Sequence, residues 1–358
     1  MTGKNILRKL LDGHPNLICN HIHDRVALSL LEKDARNYIS RPQTKNMASF
    51  QPADSVVEVK YTSGSRGLID FSDLLNIFYR FGDYRMLQRC ARLKTSYVAA
   101  KEGEFDKYLF NFDLQLFEQC IEEEVLRCNH PIYIERLIQI IYQAYCMSWI
   151  DIKFCKHNTN LTKTSPLGFV DTLPNGIDSI NRVNQELPNS KILIMDREPV
   201  SLLFANAIRI AYKGGWSGDY HDHDHFFKRC LYSQRDFGKR IQTFRAKAKL
   251  LEAKLSNVLI VDFTRLLLDT AIAMKEISSF LEIPNHSSLC KPSISGRELV
   301  NSDSRYIGRV NDDPYSMLDR KELALLETLC HGPKYSLGIF DDAWIRFRVK
   351  AHKFRWLF

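Results

Sequence analysis

The sequence lacks the long apolar stretch that a membrane span or a signal peptide requires. None of its 358 residues falls in a run of eighteen uninterrupted apolar residues, and the opening MTGKNILRKLLDGHP has no apolar core. It also lacks any block of five or six like charges, which would mark a disordered tail or a basic arm. These absences predict a soluble, non-secreted globular protein without stable membrane insertion and without nucleic acid as a partner.

Cysteine pairs with metal-binding or redox spacing are missing as well. The nine cysteines include no CxxC motif, and their number is odd. This usage excludes a zinc-finger pattern and favours reduced thiols, as in a cytoplasmic protein. We therefore predict a cytoplasmic location.

The residues that are present indicate a sizeable core and a mild basic excess. Apolar residues make up 45% of the chain, and the formal net charge is +8. Lysine and arginine are scattered along the chain, so the excess is either a solvated surface or a few cations focused on a polyanionic nucleotide.

Alternation of strand and helix patterns predicts an α/β fold. Short apolar runs at 191–199 and 257–263 are typical of buried parallel strands, and each precedes a helical pattern. Residues 5–11 have helical spacing, and the pattern is mostly helical from about 66 to 150. A doubly wound parallel sheet binds ligands beyond the carboxyl ends of its strands. Arg197 and Asp262 are expected there.

A glycine, a lysine and an amide precede the first predicted helix in TGKNILRKLLDGHP. The free N–H groups and the dipole of a helix N-terminus favour bound phosphate. The second glycine and the GK[ST] order of an ATP-binding phosphate loop are missing, which disfavours a kinase. The alternative is an ordinary helix start.

This string resembles the 5′-phosphosulfate loop of sulfotransferases, in which SGTT or SGTN runs into LLR, LLD and HP. The resemblance assigns the loop to Thr2, Gly3, Lys4, Asn5 and Ile6. It implies that these residues bind the 5′-phosphate of the co-substrate 3′-phosphoadenosine-5′-phosphosulfate (PAPS). The family places a strand and a basic residue before this loop. Because the given sequence begins at Met1 within the motif, we expect either that the sequence is truncated or that the sheet lacks this edge strand and the protein is inactive.

KILIMDREPVSLLFANAIR resembles the family's 3′-phosphate segment, in which an R-D-P triplet is followed by a serine and a second arginine. Arg197 and Arg209 match the two arginines, while Ala205 stands at the serine position. A guanidinium fork suits a dianionic phosphate. NVLIVDFTRLLLD resembles a later, mainly structural segment of the family. There Asp262 and Phe263 either border the adenine or pack in the core.

KPSISGRELVNSDSRYIGRVNDD resembles the loop that closes over the nucleotide in this family. Ser302 and Arg309 are the residues expected to bind the 3′-phosphate. The glycine, serine and asparagine content predicts a loop on physical grounds alone, so an ordinary surface loop is the alternative.

Sulfuryl transfer needs a base for the acceptor hydroxyl and a cation for the developing charge. The resemblance implies His21 as the base, because related enzymes carry a glutamate a few residues after the HP pair. It implies Lys156 as the cation, because WIDIKFCKHNTNL resembles the K-T-P segment of the family. His23 and His157 remain alternative bases.

The segment HDHDH at 221–225 has metal-ligating residue types. The family reaction requires no metal, so a solvated loop is expected and no metal is predicted.

Together these patterns predict a phosphate-loop-type α/β fold, with a three-layer parallel sheet flanked by helices. Residues 1–358 are expected to form a single sulfotransferase-like domain, with a helical insertion at 35–135 on the acceptor side. The predicted activity is in-line transfer from PAPS to a hydroxyl-bearing acceptor, namely a carbohydrate, a lipid or a protein tyrosine. The alternatives are a non-catalytic nucleotide-binding relic and a phosphate-loop nucleotide kinase.

Overall fold

The computed structural model describes a large part of the chain as several separate segments. They are residues 4–19, 28–31, 56–62, 64, 66–70, 74, 113–128, 131–148, 168–171, 176–213, 235–294, 297–298 and 320–331.

The α-helices of these segments are amphipathic or buried elements of six to twenty residues. In chain order they are α1 (Lys4–Asp12), α2 (Leu114–Arg127), α3 (Ile134–Met147), α4 (Ile180–Glu186), α5 (Pro199–Lys213), α6 (Arg235–Lys254), α7 (Phe263–Leu268), α8 (Thr270–Leu281) and α9 (Arg320–His331). Short 3₁₀ helices span Leu28–Leu31, Gly176–Ser179 and Ser287–Cys290. No helix within the described segments is long and apolar enough to cross a membrane.

The described strands form small sheets. They are β1 (Leu17–Cys19), β2 (Val56–Lys60), β3 (Arg66–Asp70), β4 (Ile132–Tyr133), β5 (Gly168–Val170), β6 (Ile192–Asp196), β7 (Val258–Asp262), β8 (Ser293–Ile294) and β9 (Arg297–Glu298). Strands β1 and β5 pair in parallel, as do β6 and β7, while β8 and β9 pair antiparallel. Strand β2 lies between antiparallel β3 and parallel β4.

The chain divides into two compact units. Unit I comprises Met1–Leu7, Ile192–Phe280 and Asn301–Phe358, and unit II comprises Arg8–Lys191 and Leu281–Val300. In unit I, β6 and β7 are continuous apolar runs that pair in register over five residues. Helix α5 follows β6 and helix α7 follows β7, which is the strand-helix alternation expected of an α/β fold.

Unit II contains the β1–β5 pair, the three-stranded sheet and helices α2 to α4. Most of α1 also belongs to it, and Leu10 and Leu11 are almost completely buried there. Leu7, Leu10 and Leu11 recur at three- and four-residue spacing, which explains why KNILRKLLD forms a helix with one apolar face.

The structure confirms the predicted α/β class and the parallel pairing of the two apolar runs at 192–196 and 258–262. It also confirms the helix predicted at 5–11, which extends over Lys4–Asp12. A continuous three-layer sheet stays a prediction, because the described strands form sheets of two or three strands.

Part of the segment expected to be helical is a β-hairpin. Strands β2 and β3 lie within 35–135, where α2 is the described helix. VVEVK is rich in β-branched residues, and Gly64 in the connecting turn has a φ of +87°. The assignment of 35–135 as an acceptor-side insertion stays a prediction, as does the single-domain organisation.

Candidate functional site

The carboxyl edge of the β6–β7 pair carries the predicted arginine. The last paired residues are Asp196 and Asp262, so Arg197 and Phe263 follow them directly on the two strands. The guanidinium carbon of Arg197 lies 4.7 Å from the centre of the Phe263 ring. Because both side chains are buried, this cation–π contact is shielded from water and orients the guanidinium group.

Arg197 is a charged group with only 6% of its surface exposed. Its Nε and Nη2 atoms are buried and make no hydrogen bond among the described residues, although the side chain has contacts beyond the Phe263 ring. Burying a cation is costly unless charge or hydrogen bonds compensate it. The planar fork of N–H donors on a guanidinium matches the oxygens of a phosphate group.

The carboxylates around Arg197 serve the local fold. Glu198 caps α5, because its Oε1 and Oε2 accept hydrogen bonds from the Val200 and Ser201 N–H groups at 2.8 and 2.6 Å. Asp196 accepts two hydrogen bonds from Arg245, at 2.8 and 3.2 Å. These contacts explain why an acidic residue follows the arginine: it begins the helix on which the next predicted residues lie.

Asp262 has the same capping role on the neighbouring strand. Its Oδ1 accepts a hydrogen bond from the Arg265 N–H at 2.7 Å and begins α7. A kinase would need this carboxylate for magnesium, so its use as a cap gives that alternative no support.

Two further predicted positions lie on α5. Ala205, at the family's serine position, is buried and has no hydroxyl to offer a phosphate. The backbone of Arg209 is four residues further along the same helix, and its side chain lies outside the described part of the structure.

The predicted phosphate loop is described only where it enters α1. Lys4, Asn5 and Ile6 form the first turn of that helix, and side-chain burial is described from Ile6 onward. The helix start predicted by the resemblance is therefore present. Its first residues belong to unit I, the unit that also contains β6 and β7.

Several predicted site residues lie outside the described segments, so their roles stay predictions. They are Thr2, Gly3, His21, His23, Lys156, His157, the 221–225 segment, Ser302 and Arg309.

A second strand edge carries a residue that the sequence interpretation missed. Asp171 follows β5, whose residues pair in register with β1, from Leu17 and Gly168 to Cys19 and Val170. The Tyr142 hydroxyl donates a hydrogen bond to Asp171 Oδ2. The signal was the short apolar run GFV ending in an aspartate, the same pattern that identified β6 and β7.

The histidine of the HP pair is structural. His14 is buried; its Nδ1 accepts a hydrogen bond from the Asn16 N–H at 3.1 Å, and its Nε2 lies 2.8 Å from the Pro284 carbonyl oxygen. An accepting Nδ1 and a donating Nε2 define a neutral imidazole. Burial, aided by the nearby charge of His286, lowers the His14 pKa, which favours the same neutral form.

The turn after α1 packs closely against the 288–293 segment. A Cβ atom at Gly13 would approach the Ser293 Oγ to 3.1 Å and the Ser288 Cβ to 3.2 Å. Ser293 also donates a hydrogen bond to the buried Asp12 carboxylate at 2.8 Å. The sequence GHP is therefore explained by packing: glycine gives room, and histidine joins the turn to Pro284.

The described cysteines are free thiols. Burial, together with the charges of Glu198 and Glu327, raises the pKa of Cys330 to about 12. Burial also raises the pKa of Cys19 well above its usual value. Both thiols are therefore protonated at neutral pH and are poor nucleophiles.

Comparison with known proteins agrees with the family resemblance of the sequence. A model of the sulfotransferase family matches residues 2–287. No curated protein matches the sequence. A solved structure described as "Sulfotransferase Domain from the Curacin Biosynthetic Pathway" is 14% identical, with a TM-score of 0.37, and the match covers 98% of this chain and 94% of that chain. A likeness at that TM-score adds nothing to the argument. The family match spans most of the chain, and the chain therefore belongs to the sulfotransferase family.

Proposed function

We propose that the protein transfers a sulfuryl group from PAPS to a hydroxyl-bearing acceptor. The observation that supports this most is the buried Arg197 at the carboxyl end of β6, with its guanidinium stacked on Phe263. Ligands of parallel α/β sheets bind beyond this end of the strands. The family match supplies the reaction class.

The donor nucleotide is proposed to bind at two of its phosphate groups. The N–H groups at the start of α1, with Thr2, Gly3, Lys4, Asn5 and Ile6, would receive the 5′-phosphosulfate. Arg197 and Arg209 would bind the 3′-phosphate, with Ser302 and Arg309 closing over it. A helix N-terminus and a guanidinium fork are the two protein groups best suited to phosphate anions.

The proposed reaction is a single in-line displacement. A base, assigned to His21 with His23 and His157 as alternatives, takes the acceptor proton. The acceptor oxygen bonds to sulfur while the bond from sulfur to the bridging phosphate oxygen breaks, and 3′-phosphoadenosine-5′-phosphate (PAP) leaves with that electron pair. Lys156 is assigned to stabilise the charge on the bridging oxygen. No metal is required by this scheme.

A non-catalytic nucleotide-binding protein is the second candidate function. It is favoured by Ala205, a buried residue at a position where the family carries a phosphate-binding serine. Such a protein would retain affinity for PAP and lack transfer.

Calorimetric titration of the purified chain with PAP and with ATP tests the donor assignment. We expect PAP to bind more tightly than ATP and Arg197→Ala to weaken PAP binding by about 10- to 100-fold, the loss of a charge-assisted hydrogen bond. Arg265→Ala is the matched control, because Arg265 lies on the same unit and pairs with the exposed Glu276 at 2.7 Å. Equal binding of ATP and PAP would contradict the proposal.

Transfer of label from PAPS to p-nitrophenol, N-acetylglucosamine and a tyrosine peptide tests the catalytic part. We expect at least one acceptor to be sulfated and His21→Ala to reduce turnover about 100-fold. PAP binding without any transfer would favour the second candidate. Unchanged turnover in His21→Ala would show that another residue is the base.

A further inference from the structure

Helix α6 of unit I has a basic outer face. Its sequence, RDFGKRIQTFRAKAKLLEAK, contains seven lysines and arginines but two acidic residues. Exposed side chains recur at three- and four-residue spacing along one side of the helix, and we call this set the basic stripe. Its members are Arg240, Thr243, Lys247, Leu250 and Lys254. At 1.5 Å per residue the stripe is about 21 Å long.

The opposite face of α6 is packed against the rest of unit I. Ile241 and Ala248 are buried, and the helix contacts α5, α9 and β7. The carboxylate of Glu252 accepts a hydrogen bond from the Ile260 N–H of β7 at 2.7 Å. The helix is therefore fixed to the sheet, and this glutamate binds the strand instead of the cations of the stripe.

Three cations on the exposed side of α6 are unpaired. Arg240, Lys249 and Lys254 form no ion pair with any residue in the described segments. Lys249 lies beside the basic stripe and is exposed. Because unpaired like charges on one helix repel one another, an anionic partner would lower the free energy of this surface.

Leu250 adds an apolar contact to the basic stripe. Its side chain lies among the cations and is 54% exposed. Ala246 and Ala253, one turn before and one turn after it, are small and exposed. Small neighbours allow a second helix to approach closely and to cover the leucine. An apolar contact surrounded by cations fits an amphipathic helix better than it fits a free anion.

Other occupants fit these features less well. A helix that binds a membrane buries its apolar face in the bilayer, whereas the apolar face of α6 is packed inside unit I. The phosphate backbone of a nucleic acid offers no apolar surface to Leu250. A second copy of this chain carries the same net charge of +8, so the two copies repel each other. An acidic helix matches both the cations and the leucine.

We propose that the basic stripe of α6 binds an acidic amphipathic helix of a partner protein, with Leu250 covered by an apolar residue of that helix. Carboxylates at three- and four-residue spacing on the partner face Arg240, Lys249 and Lys254. The contact uses none of the residues assigned to the donor nucleotide or to catalysis. Its failure therefore leaves the proposed sulfuryl transfer unchanged.

Fluorescence anisotropy of a labelled acidic peptide tests the proposal with the purified chain. The peptide is a helix of about 20 residues, longer than the stripe, with glutamates along one side and a leucine among them. A control peptide has the same charges and the same leucine but contains a proline that breaks the helix. We expect the helical peptide to bind about 10-fold more tightly than the control, and high ionic strength to weaken its binding by about 10-fold or more.

Matched variants separate the basic stripe from the rest of unit I. Lys249→Glu and Leu250→Gln should each weaken peptide binding by about 3- to 10-fold, through loss of a charge contact and of an apolar contact. Lys275→Glu and Leu268→Gln are the controls, because these residues are exposed on α8 and α7 of the same unit. All these positions are exposed, so urea unfolding should show little change in stability. If Leu250→Gln fails to fold, Lys249→Glu decides.

Several outcomes would overturn the proposal. Binding of the helical peptide weaker than about 1 mM, or equal losses in the control variants, would make this face an ordinary solvated surface. Equal affinity for the helical and the broken peptide would show charge attraction without recognition of a helix. Tighter binding of phosphatidylserine vesicles or duplex DNA, lost in Lys249→Glu, would assign the face to a membrane or a nucleic acid. Self-association in analytical ultracentrifugation that Lys249→Glu abolishes would assign it to a second copy.

Discussion

Each unit contains a parallel strand pair that is followed directly by a charged residue, and in each case an aromatic side chain contacts that residue. At the β6–β7 edge the charge is Arg197, and the face of the Phe263 ring contacts it. At the β1–β5 edge the charge is Asp171, and the hydroxyl of Tyr142 contacts it. The same topology thus presents a cation in one place and an anion in the other. The aromatic partner matches the sign of the charge in each case, because a ring face attracts cations and a phenol donates a hydrogen bond to anions.

The two edges also differ in what anchors the chain beside them. Next to Arg197, carboxylates cap α5 and α7 and bind Arg245. The turn before β1 instead depends on a neutral, buried histidine. We therefore expect mild acid to lower the stability of the turn before β1. At the β6 edge, we expect stability to fall when charged side chains are removed.

The largest expected effect on stability is at His14, which joins the turn before β1 to Pro284. His14→Leu leaves the Asn16 N–H and the Pro284 carbonyl without their ring partners, which should lower the free energy of unfolding by about 2 kcal/mol. Because the folded-state pKa of His14 lies below its ordinary value of 6.5, its contribution is complete above that pH and is lost as the pH falls through the folded pKa.

Urea unfolding at about pH 8 and at about pH 5.5 measures both parts of this prediction. The gap between wild type and His14→Leu should be wider at the higher pH. His331→Gln, at an exposed position of unit I, serves as the control. A gap that widens in acid would show that His14 is charged in the folded protein.

The next effect concerns the aromatic partner of the cation. Phe263→Leu keeps an apolar side chain and removes the ring face, so PAP binding should weaken by about 2- to 30-fold, the range of a cation–π contact. In an Arg197→Ala background the same change should have almost no further effect on affinity. Calorimetric titration of the two single variants and the double variant measures this coupling. Additive losses would mean that Phe263 contacts the nucleotide by itself, as the sequence alternative of an adenine border requires.

A smaller effect is expected at the helix caps of the same edge. Glu198→Ala removes the acceptor for two N–H groups of α5 and should lower the free energy of unfolding by about 1 kcal/mol. Asp262→Ala removes the corresponding cap of α7 and should cost a similar amount or less, since Asp262 is exposed. Urea unfolding beside the surface variant Glu122→Ala is the measurement. A stable Glu198→Ala protein with weakened PAP binding would instead assign the glutamate to the nucleotide site.

The smallest effect is expected at the ion pair that flanks the arginine. Arg245 binds Asp196 at 2.8 Å, and the two side chains are 35% and 20% exposed. Arg245→Met should therefore lower the free energy of unfolding by less than about 1 kcal/mol, with the difference shrinking at high salt. Urea unfolding at low and high ionic strength checks this. A large, salt-independent loss would mean that the pair is effectively buried.

Local patterns predicted the parts of the fold that depend on neighbouring residues. The runs ILIMD and VLIVD are apolar up to their final aspartates, so β6 and β7 and the position of Arg197 at a strand end were predictable. The hairpin of β2 and β3 was missed because β3 falls at the start of the region of mostly helical spacing, and the short strand β2 cannot be identified without its partner. Asp171 was missed because a three-residue run is too short to identify a strand without its partner.

The sequence by itself determined which segments are strands and helices near the donor motifs, and it placed an arginine directly after β6. Only the tertiary structure decided that β1 pairs with β5, that Phe263 covers Arg197, and that His14 is neutral and joined to Pro284. The physical reason is the separation along the chain over which each kind of interaction acts. Periodicity and capping act over a few residues, whereas these contacts join segments far apart in the chain and form only when the core packs.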